Sequence, residues 1–497
     1  MKKTLFLTLA FSLALSASAA KKQPVQLQFD ASKGVSESLT MPQGDVVRYT
    51  AYRKLYFVTN VEDSTYQYMN VFVPEGATQQ SPIFLRTYVG GYMASQASDP
   101  QAGDASGRAL QEGYVVVIPG SRGRNSTVQQ KKKTVYTGRA PKALLDLKAA
   151  IRYLREFDAQ MPGDAERIIT DGTSAGGAMS ALMGATGNHP AYESMLDAMG
   201  AAKQRDDVFA SVCFCPITDL DHADMAYEWI YNCTDSRQQG NSDVLSVSDE
   251  LKEQFPAYIN SLGLRASDGT LLTADNYLAY IKKEIIRAAQ LAKNAGADIP
   301  DSIGLVFSQK SMAGLPPING GVGVKPAAEG RQMQPRQGMG SKEVGEYIVD
   351  IDWEKYLNYV VSTQPLKTAP AFDTKDVVGQ SASGENEEFG DETGSSVNFT
   401  DYSASKTGSF VTKGIAVNVS LLNPMNFIDE PSASVAPHWY IRHGARDRDT
   451  AFPVAFNLAT KLRNSGKDVD FLFAWNRPHS GDYALDELFA WIANIVK

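Results

Sequence analysis

The amino-acid sequence predicts an α/β fold, in which a mostly parallel sheet carries helices on both faces and a large, mainly helical insertion interrupts it. Strand and helix patterns alternate before about residue 220 and again after about residue 420 of the 497-residue chain. Between these regions the strand pattern disappears. An apolar strand also runs through a glycine-flanked serine directly into a helix. Alternating strands and helices of this kind are typical of a parallel sheet covered on both sides.

The first third of the chain supplies the early strands. Runs rich in β-branched and aromatic residues occupy positions 46–58, 66–73, 83–88 and 114–118, and Pro or Gly marks most of their ends. Residues 141–157 then repeat apolar side chains with helical spacing. We therefore expect one half of the sheet and one covering helix to precede the serine turn.

The serine turn is the most informative segment. The apolar run 167–170 leads into Gly172-Thr173-Ser174-Ala175-Gly176, and Met179, Leu182 and Met183 follow on one helical face. A strand that turns through Gly-x-Ser-x-Gly into a helix is the nucleophile elbow of an α/β-hydrolase. The alternative is an ordinary glycine-rich turn between strand and helix. The strand before it and the helix after it favour the catalytic interpretation.

The rest of the chain completes the sheet around an insertion. Strands are expected at 208–215, 438–442 and 469–475, with helices at 453–462 and 485–496. The segment 221–420 has two clear helices, 249–262 and 275–295, a Gly/Pro/Gln-rich stretch at 313–340 and a polar, acidic stretch at 380–396. A structureless loop of that length is unusual in a compact domain. We predict a signal peptide at 1–20, a hydrolase core at 21–220 and 421–497, and an inserted lid or substrate-binding domain at 221–420.

Composition narrows the function classes. Hydrophobic residues make up 43% of the chain, charged residues 21%, and the net charge is −8, which argues against nucleic acid as a partner. Residues 1–20 combine Lys2-Lys3, an apolar stretch and small residues before a cleavage site, so we expect a secreted or periplasmic protein. No later segment has the length of a membrane span. The three cysteines lack partners with metal-ligand spacing, so we expect neither a metal nor a cofactor.

A catalytic serine of this kind needs a base and an acid, in the order Ser, Asp or Glu, His. Of the five histidines, His479 lies in a loop just after the last expected strand, where this fold places its base. Asp447 is the first carboxylate after the preceding strand and is our candidate for orienting His479, which leaves Asp449 for another role. A surface charge cluster is the alternative for one of the two aspartates.

An oxyanion site needs backbone N–H donors near the serine. One comes from the residue after the nucleophile, here Ala175, and a second from a loop after an early strand. Gly90 and Gly91 follow the strand 83–88 and supply such a loop, because paired glycines let amide groups turn inward without a Cβ clash. Taken alone, the two glycines indicate no more than a turn.

With these residues placed, the chain resembles the bacterial tannases. The resemblance is carried by Gly-Thr-Ser-Ala-Gly-Gly at 172–177, Cys-Pro-Ile-Thr-Asp-Leu at 215–220, Asp447-x-Asp449 followed by His479, Leu-Lys-x-Ala-Pro-Ala-Phe-Asp at 366–373 and Ser-Gly-Glu-Asn at 383–386. The fungal relatives pair cysteines beside the serine and the histidine, where this chain has Ala175 and Pro478. The bacterial branch therefore fits better than the fungal one.

The resemblance implies hydrolysis of galloyl and similar polyhydroxybenzoate esters, with a small phenolic ester as the partner. It assigns Ser174, Asp447 and His479 to a catalytic triad. It also implies that four residues bind the substrate ring: Lys367, Glu385 and Asp449 would contact the ring hydroxyls, and Ile217 would pack on the ring face. Phenolic hydroxyls can donate to carboxylates and accept from an ammonium, so this residue set suits such a ring.

Other functions stay open at this level. A feruloyl esterase or a general carboxylesterase would use the same catalytic residues on a different acyl group. A serine peptidase is less favoured, because no propeller-like repeat accompanies the core. A binding protein on a hydrolase scaffold is the alternative from another class, and the intact Ser, Asp and His set argues against it.

Overall fold

The computed structural model describes residues 24–308 and 346–497. The predicted signal peptide and the Gly/Pro/Gln-rich stretch 313–340 lie outside these residues. Within them the chain forms thirteen strands: β1 Val35–Thr40, β2 Val46–Tyr56, β3 Tyr68–Pro74, β4 Pro82–Arg86, β5 Val115–Pro119, β6 Thr127–Gln130, β7 Lys133–Tyr136, β8 Asp164–Thr173, β9 Ala210–Phe214, β10 Leu305–Ser308, β11 Tyr347–Ile351, β12 His438–Gly444 and β13 Asp468–Ala474.

Fourteen α-helices lie in the same described residues. They are α1 Ala105–Gln111, α2 Lys142–Glu156, α3 Ala175–Ala185, α4 Glu193–Met199, α5 Leu220–Tyr231, α6 Asp235–Gln238, α7 Ser242–Leu262, α8 Ala274–Asn294, α9 Trp353–Val361, α10 Gly384–Glu388, α11 Asp401–Lys406, α12 Lys413–Leu421, α13 Phe452–Asn464 and α14 Leu485–Ile495.

Nine strands form one sheet in the order β1-β2-β3-β5-β4-β8-β9-β12-β13. The pairs from β5 to β13 are all parallel, whereas β1, β2, β3 and β5 pair antiparallel in sequence. A mostly parallel sheet is therefore confirmed. The parallel arrangement brings the carboxyl ends of β4, β8, β9, β12 and β13 to one edge of the sheet, where ligands bind in folds of this type.

Helices cover both faces of this sheet, because side chains of a buried strand alternate between two apolar cores. On β5, Val115 and Val117 enter one core, and Val116 and Ile118 enter the other. Helices α2, α3 and α13 pack into the first core, and α1 and α14 pack into the second. The predicted α/β class with helices on both faces is confirmed.

Between β9 and β12 the described chain adds eight helices, α5 to α12, and no strand to the large sheet. The expectation that strands disappear there was wrong for β10 and β11, which form a separate antiparallel pair. Both are four or five residues long, and such short runs carry little periodic signal. The boundaries of the inserted domain at 221 and 420 stay a prediction.

Candidate active site

The turn after β8 is a tight elbow. Ser174 has φ 62° and ψ −124°, a conformation that is strained for any residue with a side chain. A Cβ on Gly172 would lie 2.2 Å from the carbonyl oxygen of Gly176, and one on Gly176 would lie 2.8 Å from that of Val89. Glycine is therefore required on both sides of Ser174. The turn holds the half-buried serine at the carboxyl end of β8, with α3 beginning at Ala175.

The three side chains proposed for catalysis meet at this edge. The Nε2 atom of His479 lies 2.8 Å from Oγ of Ser174, and its Nδ1 atom lies 2.7 Å from Oδ2 of Asp447. The other oxygen of Asp447 accepts the backbone N–H groups of Asp449 and Thr450 at 2.8 and 3.2 Å. Ser174, His479 and Asp447 thus form one continuous hydrogen-bonded series, contributed by the loops after β8, β13 and β12.

Burial and charge act in opposite directions on this series. The Asp447 side chain is 0% exposed and that of His479 is 16% exposed. Burial lowers the pKa of His479, but the carboxylate of Asp447, with a smaller contribution from Cys215, outweighs burial and holds that pKa above its usual value. Burial raises the pKa of Asp447, and the charge of the histidine with the hydrogen bonds it receives brings the net pKa below its usual value. Asp447 is therefore an ionised partner that increases the basicity of His479.

The predicted oxyanion donors lie in the loop after β4 and at the first residue of α3. In the loop after β4, the carbonyl of Gly90 accepts from the N–H of Met93 at 3.0 Å, and the carbonyl of Gly91 accepts from Nε of Arg124 at 2.8 Å. The N–H groups of Gly90 and Gly91 have no hydrogen-bond acceptor within the described part of the chain. Ala175 begins α3, where amide groups lack intrahelical partners. These donors are available to an anion.

A buried ion-pair cluster joins the loops around the serine. Arg86, at the end of β4, pairs with Asp171 on β8 and, at 2.6 Å, with Asp482 in the loop after His479. The side chains of Arg86 and Asp171 are almost fully buried, so breaking the pair would leave an uncompensated charge in the interior. This cluster was not predicted from the sequence, because Asp482 lies 396 residues after Arg86.

Ile217 also lies next to Ser174. Its N–H donates to the carbonyl of Ser174 at 3.3 Å, and its own carbonyl accepts the Tyr92 hydroxyl at 2.7 Å. The residue is buried. Ile217 therefore lies at the same edge of the sheet as Ser174, and its contact with a substrate ring stays a prediction.

Lys367 is fixed through its backbone, and its ammonium group has no acidic partner among the residues that the structure describes. Its N–H donates to the Tyr227 hydroxyl at 3.2 Å, and its carbonyl accepts from Arg237 at 2.8 Å. The Nζ atom lies 3.9 Å from the centre of the Phe372 ring. Within the described residues no carboxylate lies at ion-pair distance from this ammonium.

Glu385 lies on α10, and Asp449 lies in the loop after β12. The carboxylate of Glu385, on α10, has neither a hydrogen bond nor an ion pair in the described ranges. Arg124 packs against the neighbouring Gly384 and also donates to Gly91, so it links α10 to the oxyanion loop. Asp449 is 29% exposed and pairs with Arg448 at 2.6 Å. No direct bond joins Lys367, Glu385 and Asp449 among the described residues.

Three buried tyrosines bond the loop after β12, and the sequence did not predict this role for them. The hydroxyls of Tyr356, Tyr231 and Tyr227 donate to the carbonyls of Ala445, Asp447 and Arg448, the last two at 2.6 and 2.8 Å. The available signal was limited to the spacing of Tyr227 and Tyr231, which puts both on one face of a helix. Nothing in the sequence relates that face to a loop more than two hundred residues away.

Two clusters in the described residues offer three possible metal-ligand atoms within 4.8 Å: Cys215, Asp447 and His479, and Asp219, Asp221 and His222. In the first, His479 already bonds Asp447 and Ser174, and the Cys215 thiol donates to the carbonyl of Ser480 at 3.2 Å. In the second, Asp219 accepts hydrogen bonds from His222, Tyr258 and Asn423. Both clusters are thus accounted for by contacts between their own side chains and neighbouring residues.

Comparison with known proteins relates this site to a family. The profile of the BD-FAE family, an α/β-hydrolase family, matches residues 69–258. A comparison with curated proteins gives no match. No helix within the described residues combines the length and the apolar character needed to cross a membrane.

Solved structures of tannases match almost the whole chain. The native tannin acyl hydrolase from Lactobacillus plantarum is 35% identical, with a TM-score of 0.80, over 95% of this chain and 99% of that protein. The tannase of Fusobacterium nucleatum is 34% identical, with a TM-score of 0.79, over 95% of this chain and 100% of that protein. A tannin acyl hydrolase in complex with ethyl gallate is 35% identical, with a TM-score of 0.80, over 95% and 99% of the two chains. The chain therefore belongs to the bacterial tannases, a family of α/β-hydrolases that cleave carboxylic esters.

Proposed function

We propose that this protein is a secreted serine esterase that hydrolyses galloyl esters through an acyl-enzyme. One observation carries the proposal: Oγ of Ser174 lies 2.8 Å from Nε2 of His479, whose Nδ1 lies 2.7 Å from Asp447. A nucleophile, a base and an orienting carboxylate at these distances are the requirements for acyl transfer by serine.

The first half-reaction transfers the galloyl group to the enzyme. Oγ of Ser174 attacks the ester carbonyl carbon while its proton passes to Nε2 of His479. The carbonyl oxygen becomes an oxyanion, which the N–H groups of Ala175 and of the Gly90–Gly91 loop are available to stabilise. When the tetrahedral intermediate collapses, the C–O bond to the alcohol breaks and the imidazolium returns its proton to the leaving alkoxide.

The second half-reaction releases the acid. A water molecule gives a proton to His479 and attacks the acyl carbon, and Oγ of Ser174 departs with the proton from the imidazolium. Asp447 keeps its negative charge throughout and stabilises the imidazolium in both half-reactions. Its burial and its two backbone N–H donors support this role.

Recognition of the ring is assigned to Lys367, Glu385 and Asp449, with Ile217 against the ring face. The ammonium of Lys367 and the carboxylate of Glu385 lack ionic partners within the described chain. Both groups would therefore form hydrogen bonds with the ring hydroxyls of the substrate. The complex of a related tannin acyl hydrolase with ethyl gallate supports a galloyl ring as the acyl group. A site with such polar ends disfavours an ester that lacks ring hydroxyls, because those ends would lose water without gaining partners.

The same proposal includes the domain organisation and the location. Residues 221–420 would act as an inserted substrate-binding domain, since Lys367 and Glu385 lie on it while the catalytic side chains lie on the core. Residues 1–20 have the charged, apolar and small-residue pattern of a signal peptide, which supports export to the periplasm or the medium.

The Ser174→Ala variant tests the mechanism. It should fold normally, with an unchanged circular dichroism spectrum, and lose about 10⁴-fold or more of its kcat on methyl gallate. A fluorophosphonate probe should label the wild-type protein and not the variant. Retention of methyl gallate hydrolysis by the folded variant would exclude Ser174 as the nucleophile.

A substrate comparison tests the acyl group. Wild-type kcat/KM for methyl gallate should exceed that for methyl ferulate by at least about 100-fold, because ferulate lacks two of the three adjacent hydroxyls. A preference for methyl ferulate would leave the serine mechanism in place and make the protein a feruloyl esterase.

A further inference from the structure

Helix α5 carries a buried hydroxyl that contacts two of the proposed substrate-binding loops. The Tyr227 side chain is fully buried. Its hydroxyl donates to the carbonyl of Arg448 at 2.8 Å and accepts the N–H of Lys367 at 3.2 Å. One oxygen atom therefore lies between the loop after β12 and the segment of the insertion that carries Lys367.

On the core side, this hydrogen bond fixes the peptide bond that precedes Asp449. The carbonyl of Arg448 and the N–H of Asp449 belong to one planar peptide group. Tyr227 bonds the carbonyl at one end, and Oδ1 of Asp447 accepts the N–H at the other, at 2.8 Å. The direction in which the Asp449 side chain leaves the backbone is thus set partly by Tyr227.

On the insertion side, the backbone of Lys367 is held at both ends, by Tyr227 at its N–H and by Arg237 at its carbonyl. Its ammonium lies over the ring of Phe372. One turn before Tyr227 on the same helix, Asp224 accepts the N–H groups of Ala371, Phe372 and Asp373 at 2.7, 2.7 and 3.0 Å. Helix α5 therefore fixes both Lys367 and the ring beneath its ammonium.

We propose that Tyr227, assisted by Asp224, is a specificity-determining positioning residue that sets the relative placement of the Lys367 ammonium and the Asp449 carboxylate. This inference rests on the proposed function, in which the Lys367 ammonium and the Asp449 carboxylate bind ring hydroxyls. Two adjacent hydroxyls on a rigid ring require a donor and an acceptor at a fixed relative position, and the shared Tyr227 hydroxyl supplies this constraint. Tyr227 acts through the two loops and has no assigned contact with the reacting atoms.

A pair of isosteric substitutions on one helix provides the test. Tyr227→Phe removes the hydroxyl that holds Lys367 and Arg448. Tyr231→Phe, one turn later, removes the hydroxyl that donates to the carbonyl of Asp447 at 2.6 Å. Both side chains are fully buried, so general destabilisation should be similar. Each variant is assayed with methyl gallate and with 4-nitrophenyl benzoate, whose acyl ring has no hydroxyls and whose leaving group is activated.

For Tyr227→Phe we expect KM for methyl gallate to rise about ten-fold, the effect of one lost hydrogen bond and a loosened loop, with both parameters for 4-nitrophenyl benzoate unchanged. For Tyr231→Phe we expect kcat to fall by the same factor on both esters, since Asp447 serves the chemistry of each. In a Lys367→Met, Asp449→Asn background, Tyr227→Phe should have no further effect on KM. A merely structural role would produce the same losses on both esters.

Equal losses on the two esters in Tyr227→Phe, or an unchanged KM for methyl gallate, would overturn the inference. If Tyr227→Phe does not fold, Asp224→Asn is measured instead and must show the same selective rise in KM, and its failure to do so overturns the inference. Failure of the proposed function is distinguishable, because the wild type would then show no preference for methyl gallate over methyl ferulate. If only the inference fails, the wild type has that preference and Tyr227→Phe retains it.

Discussion

The side chains proposed for catalysis and those proposed for ring binding are held in different ways. His479 bonds directly to Ser174 at 2.8 Å and to Asp447 at 2.7 Å. Lys367 and Glu385 are fixed by their backbones and helices, and their charged ends have no ionic partner in the described residues.

The difference follows from what each region has to do. A proton transfer requires donor and acceptor to be aligned before the substrate arrives, so the catalytic groups are bonded in advance. The polar ends of Lys367 and Glu385 have no ionic partner in the described residues and can bond a ligand, whereas the carboxylate of Asp449 pairs with Arg448 at 2.6 Å. Substitutions in the first region should affect every ester, and those in the second should affect only esters with ring hydroxyls.

Asp447→Asn, in the region proposed for catalysis, should have the largest effect. We expect kcat to fall about 10⁴-fold on methyl gallate and 4-nitrophenyl benzoate alike, because the histidine loses its orienting carboxylate. Activity requires neutral His479 and falls as pH decreases through its pKa. Asp447 raises that pKa, so the acid limb of the pH–rate profile should move to lower pH in the variant. Asp449→Asn is the matched control, two residues away, and should leave the acid limb unchanged. A limb that moves to higher pH in Asp447→Asn would contradict the assignment.

Lys367→Met and Glu385→Gln should have a smaller, selective effect. Each should reduce kcat/KM on methyl gallate about 10–100-fold, since a charged hydrogen bond is worth about 1.5–3 kcal/mol, and should not reduce kcat/KM on 4-nitrophenyl benzoate. Lys375→Met is a suitable control, because Lys375 lies on the same insertion and pairs with exposed Asp376. Parallel losses on both esters would remove these two residues from ring recognition.

The smallest expected effect concerns the base of the insertion, where the chain leaves the core and returns to it. Asp219 accepts hydrogen bonds from His222 and from Asn423, both at 2.8 Å. Burial lowers the pKa of His222, but Asp219 and Asp221 together outweigh burial and raise that pKa to about 10. A raised pKa contributes stability that is complete below the unfolded value of 6.5 and lost as pH rises through the folded value.

His222→Gln should therefore lower the free energy of unfolding by about 2 kcal/mol near pH 6, and this difference should shrink between pH 6.5 and about 10. Urea unfolding across this range measures it. The specificity ratio of the two esters should stay the same, because His222 touches neither region of the site. A difference that grows with pH would contradict the raised pKa.

Local patterns in the sequence were sufficient for the class of fold and for the choice of candidate residues. The strands before and after the Gly-x-Ser-x-Gly turn are long runs of strand-forming residues, and Pro or Gly marks most of their ends. Strands β10 and β11 were missed because they are too short to show such a pattern. The order of Ser174, Asp447 and His479 along the chain, together with their places after strands, selected the three side chains that the structure brings into hydrogen-bonding distance.

Contacts between distant segments were beyond the sequence. The sequence by itself determined the alternation of strands and helices, the strained serine turn and the residue types of the site, because these depend on neighbours a few positions apart. Only the tertiary structure decided that Arg86 pairs with Asp482 and that the Tyr227 hydroxyl lies between Lys367 and Arg448. Such pairings depend on how helices and loops pack in three dimensions, and neither periodicity nor spacing along the chain encodes them.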